Sequence, residues 1–414
     1  MKNAIAVLSV LLLLAGCSSK AADTPESGGH EGYVTFVQGG KSGYTICAPS
    51  TLGANLRLFS VAIQKATGAA LDTKTASSNA TDLEIILGSS KARTESIEAL
   101  GDITSGYVIK VVGKKLIIAG SDETWTVLAM EAFAKSCLSN PEYCHDGTLE
   151  LPGNYSETKK DADPQFIASF LKSGRKFTLQ ATLVGTVPQK GTYTVAQGAA
   201  SDGKHVYFTM KGGEDSNHDS HCIVYKYTLS PFEQVAFSED FNGHHANDMA
   251  FDTKNKRVLV VNGTGASSQL TALDAETLEV STIKTTLGIG GMTYNPKRNV
   301  YGITQGGKKY QIADENFVMT KDFGRSDGMV NTYTAQGMGS DDSYVYFPMS
   351  PKSGGGTDNI LCTYDWEGKH VADLHIDLNM ESESMFYAGG RYYVNFYSSG
   401  ARLYQITPII VFAP

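Results

Sequence analysis

One pattern returns five times in the C-terminal half of this 414-residue chain. A polar residue is followed by a small or apolar step, a turn and an apolar strand. Gln197-Gly198-Ala199-Ala200-Ser201-Asp202-Gly203-Lys204-His205-Val206-Tyr207-Phe208 matches Gln336-Gly337-Met338-Gly339-Ser340-Asp341-Asp342-Ser343-Tyr344-Val345-Tyr346-Phe347. Between them lie Asn247-Asp248-Met249-Ala250-Phe251-Asp252 and Gly290-Gly291-Met292-Thr293-Tyr294-Asn295, and after them Glu383-Ser384-Met385-Phe386-Tyr387-Ala388. These five segments begin 50, 43, 46 and 47 residues apart. A unit of that length holds four short strands, and copies set around an axis bury faces that one copy leaves open. The period predicts a β-propeller over residues 177–414, with five blades, or six as the alternative. The last repeat is short and ends at Leu403-Tyr404-Gln405-Ile406. The strand at Phe177 to Leu183 is expected to complete it from the other end of the propeller, which removes a free sheet edge.

Composition agrees with turn-rich β structure. The chain has 43 Gly, 21 Tyr and 2 Trp, with 41% hydrophobic and 19% charged residues. Glycine serves tight turns and tyrosine suits half-buried strands. A net charge of −8 argues against a nucleic-acid partner.

The N-terminus reads as a targeting segment. Lys2 precedes an apolar run from Ala4 to Leu14, too short for a membrane span of about 20 residues. Leu14-Ala15-Gly16-Cys17 resembles the lipobox of bacterial lipoproteins. The resemblance implies cleavage before Cys17 and acylation of its thiol. The mature chain is then expected to be anchored by lipid outside the cytoplasm, touching the membrane through Cys17 alone. Residues 18–32 are polar and small and read as a flexible tether. Cys137 and Cys144 close a short loop in which a disulfide fits. Cys222 and Cys362 fall near equivalent points of non-adjacent blades and read as small buried hydrophobes.

Residues 33–152 mix strands and helices. A strand pattern at Tyr44 to Ala48 precedes a helical spacing from Asn55 to Thr67, capped by Gly68. Asp82 to Gly88 reads as a strand, Tyr107–Val112 and Leu116–Gly120 as a hairpin, and Thr124 to Cys137 as a helix. This order resembles the non-catalytic N-terminal domain beside the catalytic barrels of α-glucuronidases and β-hexosaminidases. Glu84-Ile85-Ile86-Leu87-Gly88, Gly106-Tyr107-Val108-Ile109-Lys110 with Leu116-Ile117-Ile118-Ala119-Gly120, and the helix from Thr124 carry the likeness. It implies an accessory role in proteins that handle glycans. Where that family has glycines after the hairpin, this chain has Ser121-Asp122-Glu123, and no catalytic barrel follows. Residues 153–176 read as a linker with a short helix at Pro164 to Leu171.

The first strand of each blade lines the central channel, and side chains two apart share a face. Aligned repeats put Gln197, Asn247, Gly290, Gln336 and Glu383 in one ring. Two residues earlier stand Val195, His245, Gly288, Thr334 and Glu381. Amides and carboxylates meet hydroxyl groups in pairs, so Gln197, His245, Asn247, Gln336, Glu381 and Glu383 form a candidate glycan or protein site, open beside Gly288 and Gly290. His244 and Asp248 are expected to face away. Glu381 and Glu383 are like charges one pleat apart, which raises one pKa. With His245 they are the catalytic candidates. His245, Asn247 and Glu383 are the candidate ligands of a divalent cation such as Ca²⁺. The Asp- and His-rich run 215–221 and the Gly-rich run 353–357 read as surface loops.

Three functions fit: a lipid-anchored binding protein, a glycan hydrolase or lyase working in the channel, or a scaffold subunit of an envelope complex. Glycosidases flank the scissile bond with two carboxylates, which in a propeller come from different blades. Here Glu381 and Glu383 share one blade, so binding leads.

Overall fold

The computed structural model describes residues 30–161, 163–214, 220–263, 267–305, 309–325, 332–351 and 358–414. Cys17, nearly all of the tether, residues 215–219 of the acidic loop and the Gly-rich run 353–357 lie outside them.

The N-terminal part is built on a six-stranded sheet. Its order is Asp72–Thr75, Thr45–Ala48, Glu84–Leu87, Lys115–Gly120, Gly106–Val112 and Ser156–Lys160. The first four strands pair parallel and the last two antiparallel. Helices Gly53–Thr67 and Glu123–Phe133 bury Phe59, Ile63, Val127, Met130 and Phe133 in the main core beside Ile46, Ile85 and Ile118. Gly68 ends the first helix at φ 80°, the left-handed conformation that glycine adopts without strain. Asp122 caps the other helix by accepting from Trp125 N at 2.9 Å. Ser156–Lys160 lies inside the stretch read as a linker, yet it pairs with Gly106–Val112. Its charged sequence, SETKK, hides an edge strand that needs no apolar alternation.

The C-terminal part is a β-propeller. Among the described residues it comprises five consecutive antiparallel sheets. The first runs Val195–Ser201, His205–Glu214, Ser220–Thr228 and Glu233–Phe237. The second runs Asp248–Asp252, Arg257–Val261, Ser267–Asp274 and Val280–Ile289. The third runs Gly291–Asn295, Val300–Gln305, Lys309–Ala313 and Met319–Arg325. In the fourth, Tyr333–Ala335 and Gly339–Ser340 both pair with Tyr344–Pro351, followed by Asp358–Asp365 and His370–Asp377. The fifth joins Glu381–Ala388, Arg391–Tyr397 and Ala401–Ile410 to Phe177–Val187, the strand that begins the propeller. The inner strands touch in a closed cycle, from the first sheet through the fifth and back to the first.

A repeated polar clasp holds neighbouring sheets together at the ends of the inner strands. Five residues after each of the first four repeats begins stand Asp202, Asp252, Asn295 and Asp341, where the fifth has Ala388. Each accepts backbone N–H groups of the turn that follows it. Asp252 also accepts from Tyr301 of the third sheet at 2.8 Å. Asp341 accepts from Tyr346 of its own sheet at 2.6 Å and Tyr392 of the fifth at 2.8 Å. Asn295 donates across to Asp341 O at 3.1 Å. Tyr207 bonds Asp202 and, in the second sheet, Ala275 O at 3.1 Å.

Candidate functional site

The hub of the propeller is built around one carboxylate. One residue after each repeat begins, the row reads Gly198, Asp248, Gly291, Gly337 and Ser384. A Cβ at Gly198 would stand 2.6 Å from the Asp248 carbonyl carbon, at Gly337 2.7 Å from Asp248 Oδ1, and at Gly291 3.3 Å from Oδ2. Gly291 and Gly337 therefore leave room for the carboxylate, and Gly198 for the backbone that carries it. Asp248 is fully buried. Its Oδ2 accepts from Met292 N at 2.8 Å and Met338 N at 2.9 Å, and its Oδ1 from Ser384 Oγ at 2.8 Å. Ser384 Oγ also contacts Ala199 O at 3.0 Å. This group thus ties the second sheet to the third, fourth and fifth. Burial pushes its pKa up to about 7, although the donated hydrogen bonds pull the other way.

Asp248 was expected to face away from the axis; the structure puts it at the centre. The alternation assumed a strand running through His245 and Asn247, but the strand starts only at Asp248 and pairs regularly with Arg257–Val261. His244 to Asn247 precede it in a segment with two left-handed residues, His244 and Ala246, so their side chains do not follow the strand's period.

The expected ring residues divide into struts and open groups. Asn247 is a strut: its Nδ2 donates to Gly290 O at 2.8 Å and Gln336 O at 2.7 Å. Gln197, 5% exposed, keeps a buried Oε1 with no hydrogen-bond partner among the described residues. Its carbonyl accepts from Asn395 Nδ2 at 2.7 Å, and the buried Asn395 Oδ1 likewise has no partner among the described residues. Glu383, 3% exposed, occupies the bulge of the fifth sheet's inner strand. No described residue donates a hydrogen bond to its carboxyl. Burial, then the nearby Glu381 and Asp248 carboxylates, hold its pKa well above the usual range. Glu381 opens that strand, exposed, and accepts from Gln336 Nε2.

His245 is placed differently. It is half-buried in a turn between His244 and Ala246, whose φ values of 49° and 50° are left-handed, so no strand face aligns it with Asn247. The row of Val195, His245, Gly288, Thr334 and Glu381 is not a ring of inner-strand positions: Gly288 belongs to the outer strand Val280–Ile289, and Thr334 is exposed. A Ca²⁺ set of His245, Asn247 and Glu383 is a poor chemical match, because calcium takes six to eight oxygens and the imidazole offers nitrogen. No disulfide joins Cys137 to Cys144 among the described residues.

Sequence reasoning missed Asp248, Ser384 and Asn395. For the first two a signal was present: the row Gly, Asp, Gly, Gly, Ser places one acid against three glycines.

No family model matches the chain, and no curated protein matches it. Among solved structures, Kuenenia stuttgartiensis hydrazine synthase is similar over 51% of this chain at 14% identity and a TM-score of 0.31, and this chain spans 58% of its length. Virginiamycin B lyase from Staphylococcus aureus is similar over 56% of this chain and all of its own, at 10% identity and a TM-score of 0.32. The β-propeller domain of the Trilobed protease from Pyrococcus furiosus is similar over 53% of this chain and 85% of its own, at 12% identity and a TM-score of 0.29.

Proposed function

We propose that this chain is a lipid-anchored binding protein outside the cytoplasm, held by acylated Cys17, with a five-bladed propeller whose hub binds the hydroxyl groups of a glycan. The α/β part from residue 33 is then an accessory unit of the same glycan-handling protein. One observation carries the reading: Gln197 and Glu383 stand on neighbouring inner strands, nearly buried, the first with a buried oxygen that no described group satisfies and the second pressed by burial and two neighbouring acids. An unpaired buried acceptor costs about 1–3 kcal/mol. A ligand bringing several O–H donors recovers that cost. The paired Glu381 and Gln336 beside them supply further oxygens.

The hydrolase or lyase reading needs two acids that reach substrate. Asp248 and Glu383 do come from different sheets, but Asp248 has no exposed surface and spends its oxygens on three internal donors. Glu381 and Glu383 share one strand. Binding is the better fit.

The test is a glycan array followed by calorimetry on the full chain. Wild-type protein should bind a glycan, and Glu383→Gln and Gln197→Ala should each weaken it by at least about tenfold, or about 1.4 kcal/mol. Chelator should change nothing. Binding by none of the three proteins, or equal binding by wild type and both variants, would favour a scaffold. Glycan turnover lost in Glu383→Gln would favour the enzyme.

A further inference from the structure

Away from the hub, the fourth sheet carries a second cluster. Cys362 and Asp373 are direct partners across two antiparallel strands, Asp358–Asp365 and His370–Asp377. A register shift between Thr363 and Tyr364 sets His370 against Tyr364, close to the same pair. The Cys362 sulfur, a His370 ring nitrogen and an Asp373 carboxylate oxygen all lie within 4.8 Å of one another. His370 Nε2 and Asp373 Oδ1 are 3.0 Å apart. The His370 ring also meets the Tyr364 ring edge-on at 5.3 Å between centroids, which fixes its plane.

We propose that Cys362, His370 and Asp373 bind one divalent transition-metal ion of the Zn²⁺ type. Thiolate, imidazole and carboxylate together are a soft-to-borderline donor set that suits zinc and disfavours calcium or magnesium. Bonds of about 2.0–2.3 Å in a tetrahedron place ligand atoms on the order of 3.5 Å apart, so small side-chain adjustments close the site. Cys362 forms the floor, with no exposed surface. The His370 and Asp373 side chains are 34% and 30% exposed and form the mouth, so an ion can enter and water can take the fourth position. On binding, the Cys362 S–H bond breaks, sulfur bonds the metal, and the proton leaves to solvent.

Cobalt titration of the full, reduced, metal-stripped chain tests this. Wild type should develop a near-ultraviolet thiolate-to-cobalt charge-transfer band that saturates at one equivalent and is displaced by Zn²⁺. Cys362→Ser should lose the band. If that variant does not fold, His370→Gln at the mouth keeps the thiol. Removing a direct ligand should weaken Zn²⁺ affinity by at least about tenfold, since even outer-shell losses cost that much. No band in wild type, an unchanged band in Cys362→Ser, or unchanged affinity in His370→Gln would overturn the assignment.

Discussion

Asp248 takes hydrogen bonds from Met292, Met338 and Ser384 while lying wholly out of water. Hydrogen bonds to a charged group are worth about 1.5–3 kcal/mol each, and burying that charge costs a comparable amount. Its folded pKa of about 7 shows burial winning by a margin. A raised pKa means that the folded state holds the proton more tightly than the unfolded chain, whose aspartate titrates near ~3.9. The stabilisation is therefore full below that value and is lost as pH rises through 7. Asp248→Asn should lower stability by roughly 3 kcal/mol at pH 5, with the gap to wild type shrinking up to pH 8 in urea unfolding. A gap that widens with pH would mean that the group is held as a carboxylate. Glu84 acts in the opposite sense. Burial would raise its pKa, but bonds from Lys74 and Arg93 pull it to about 2. Its contribution is lost as pH falls toward 2, equally in both proteins, so it cancels from the comparison.

At the scale of the element, the clasp explains why a periodic sequence becomes a set of joined sheets. Asp341 is satisfied at both oxygens, by Ser343 N and Tyr344 N on one side and by Tyr346 and Tyr392 on the other. Tyr392 is 2% exposed, so its hydroxyl has no water to fall back on. Tyr392→Phe removes one donor and leaves the ring in place. It should cost about 1–2 kcal/mol, read as a lower urea midpoint at unchanged slope. An unchanged midpoint would show that the fourth and fifth sheets are not joined there. The Asp-turn-strand pattern was legible because local turn chemistry and strand pattern repeat together. The split inner strand of the fourth sheet was not, since Gln336-Gly337-Met338 reads the same whether bulged or straight. Nor was the left-handed pair His244 and Ala246, which delays the second sheet's inner strand to Asp248 and so reverses which side chains there face the axis.

At the scale of the molecule, the closing strand of the propeller is also its link to the α/β part. Beyond the pairing of Ala401–Ile410 with Phe177–Val187, Asn55 donates to Ile410 O at 3.1 Å and accepts from Phe412 N at 2.8 Å. Phe412 meets Phe59 edge-on at 5.7 Å and shares its core. Such contacts were invisible in the sequence, where Ile409-Ile410-Val411-Phe412 is a short apolar run with no marked partner. The period itself was readable, since stacked copies must repeat their buried rows. What a reader of the sequence could not weigh was satisfaction: Gln197 and Asn247 look alike, yet one braces three sheets and the other leaves an oxygen bare. The hub account rests on Glu383 being enclosed beside Asp248 and Glu381. Infrared spectroscopy of the full chain carrying carbon-13-labelled glutamate side-chain carboxyls reads this directly. Followed across a pH titration, one protonated carboxyl band should persist above the ordinary glutamate range in wild type and be absent from Glu383→Gln. A wild-type titration in which no glutamate persists above that range would contradict the enclosed hub.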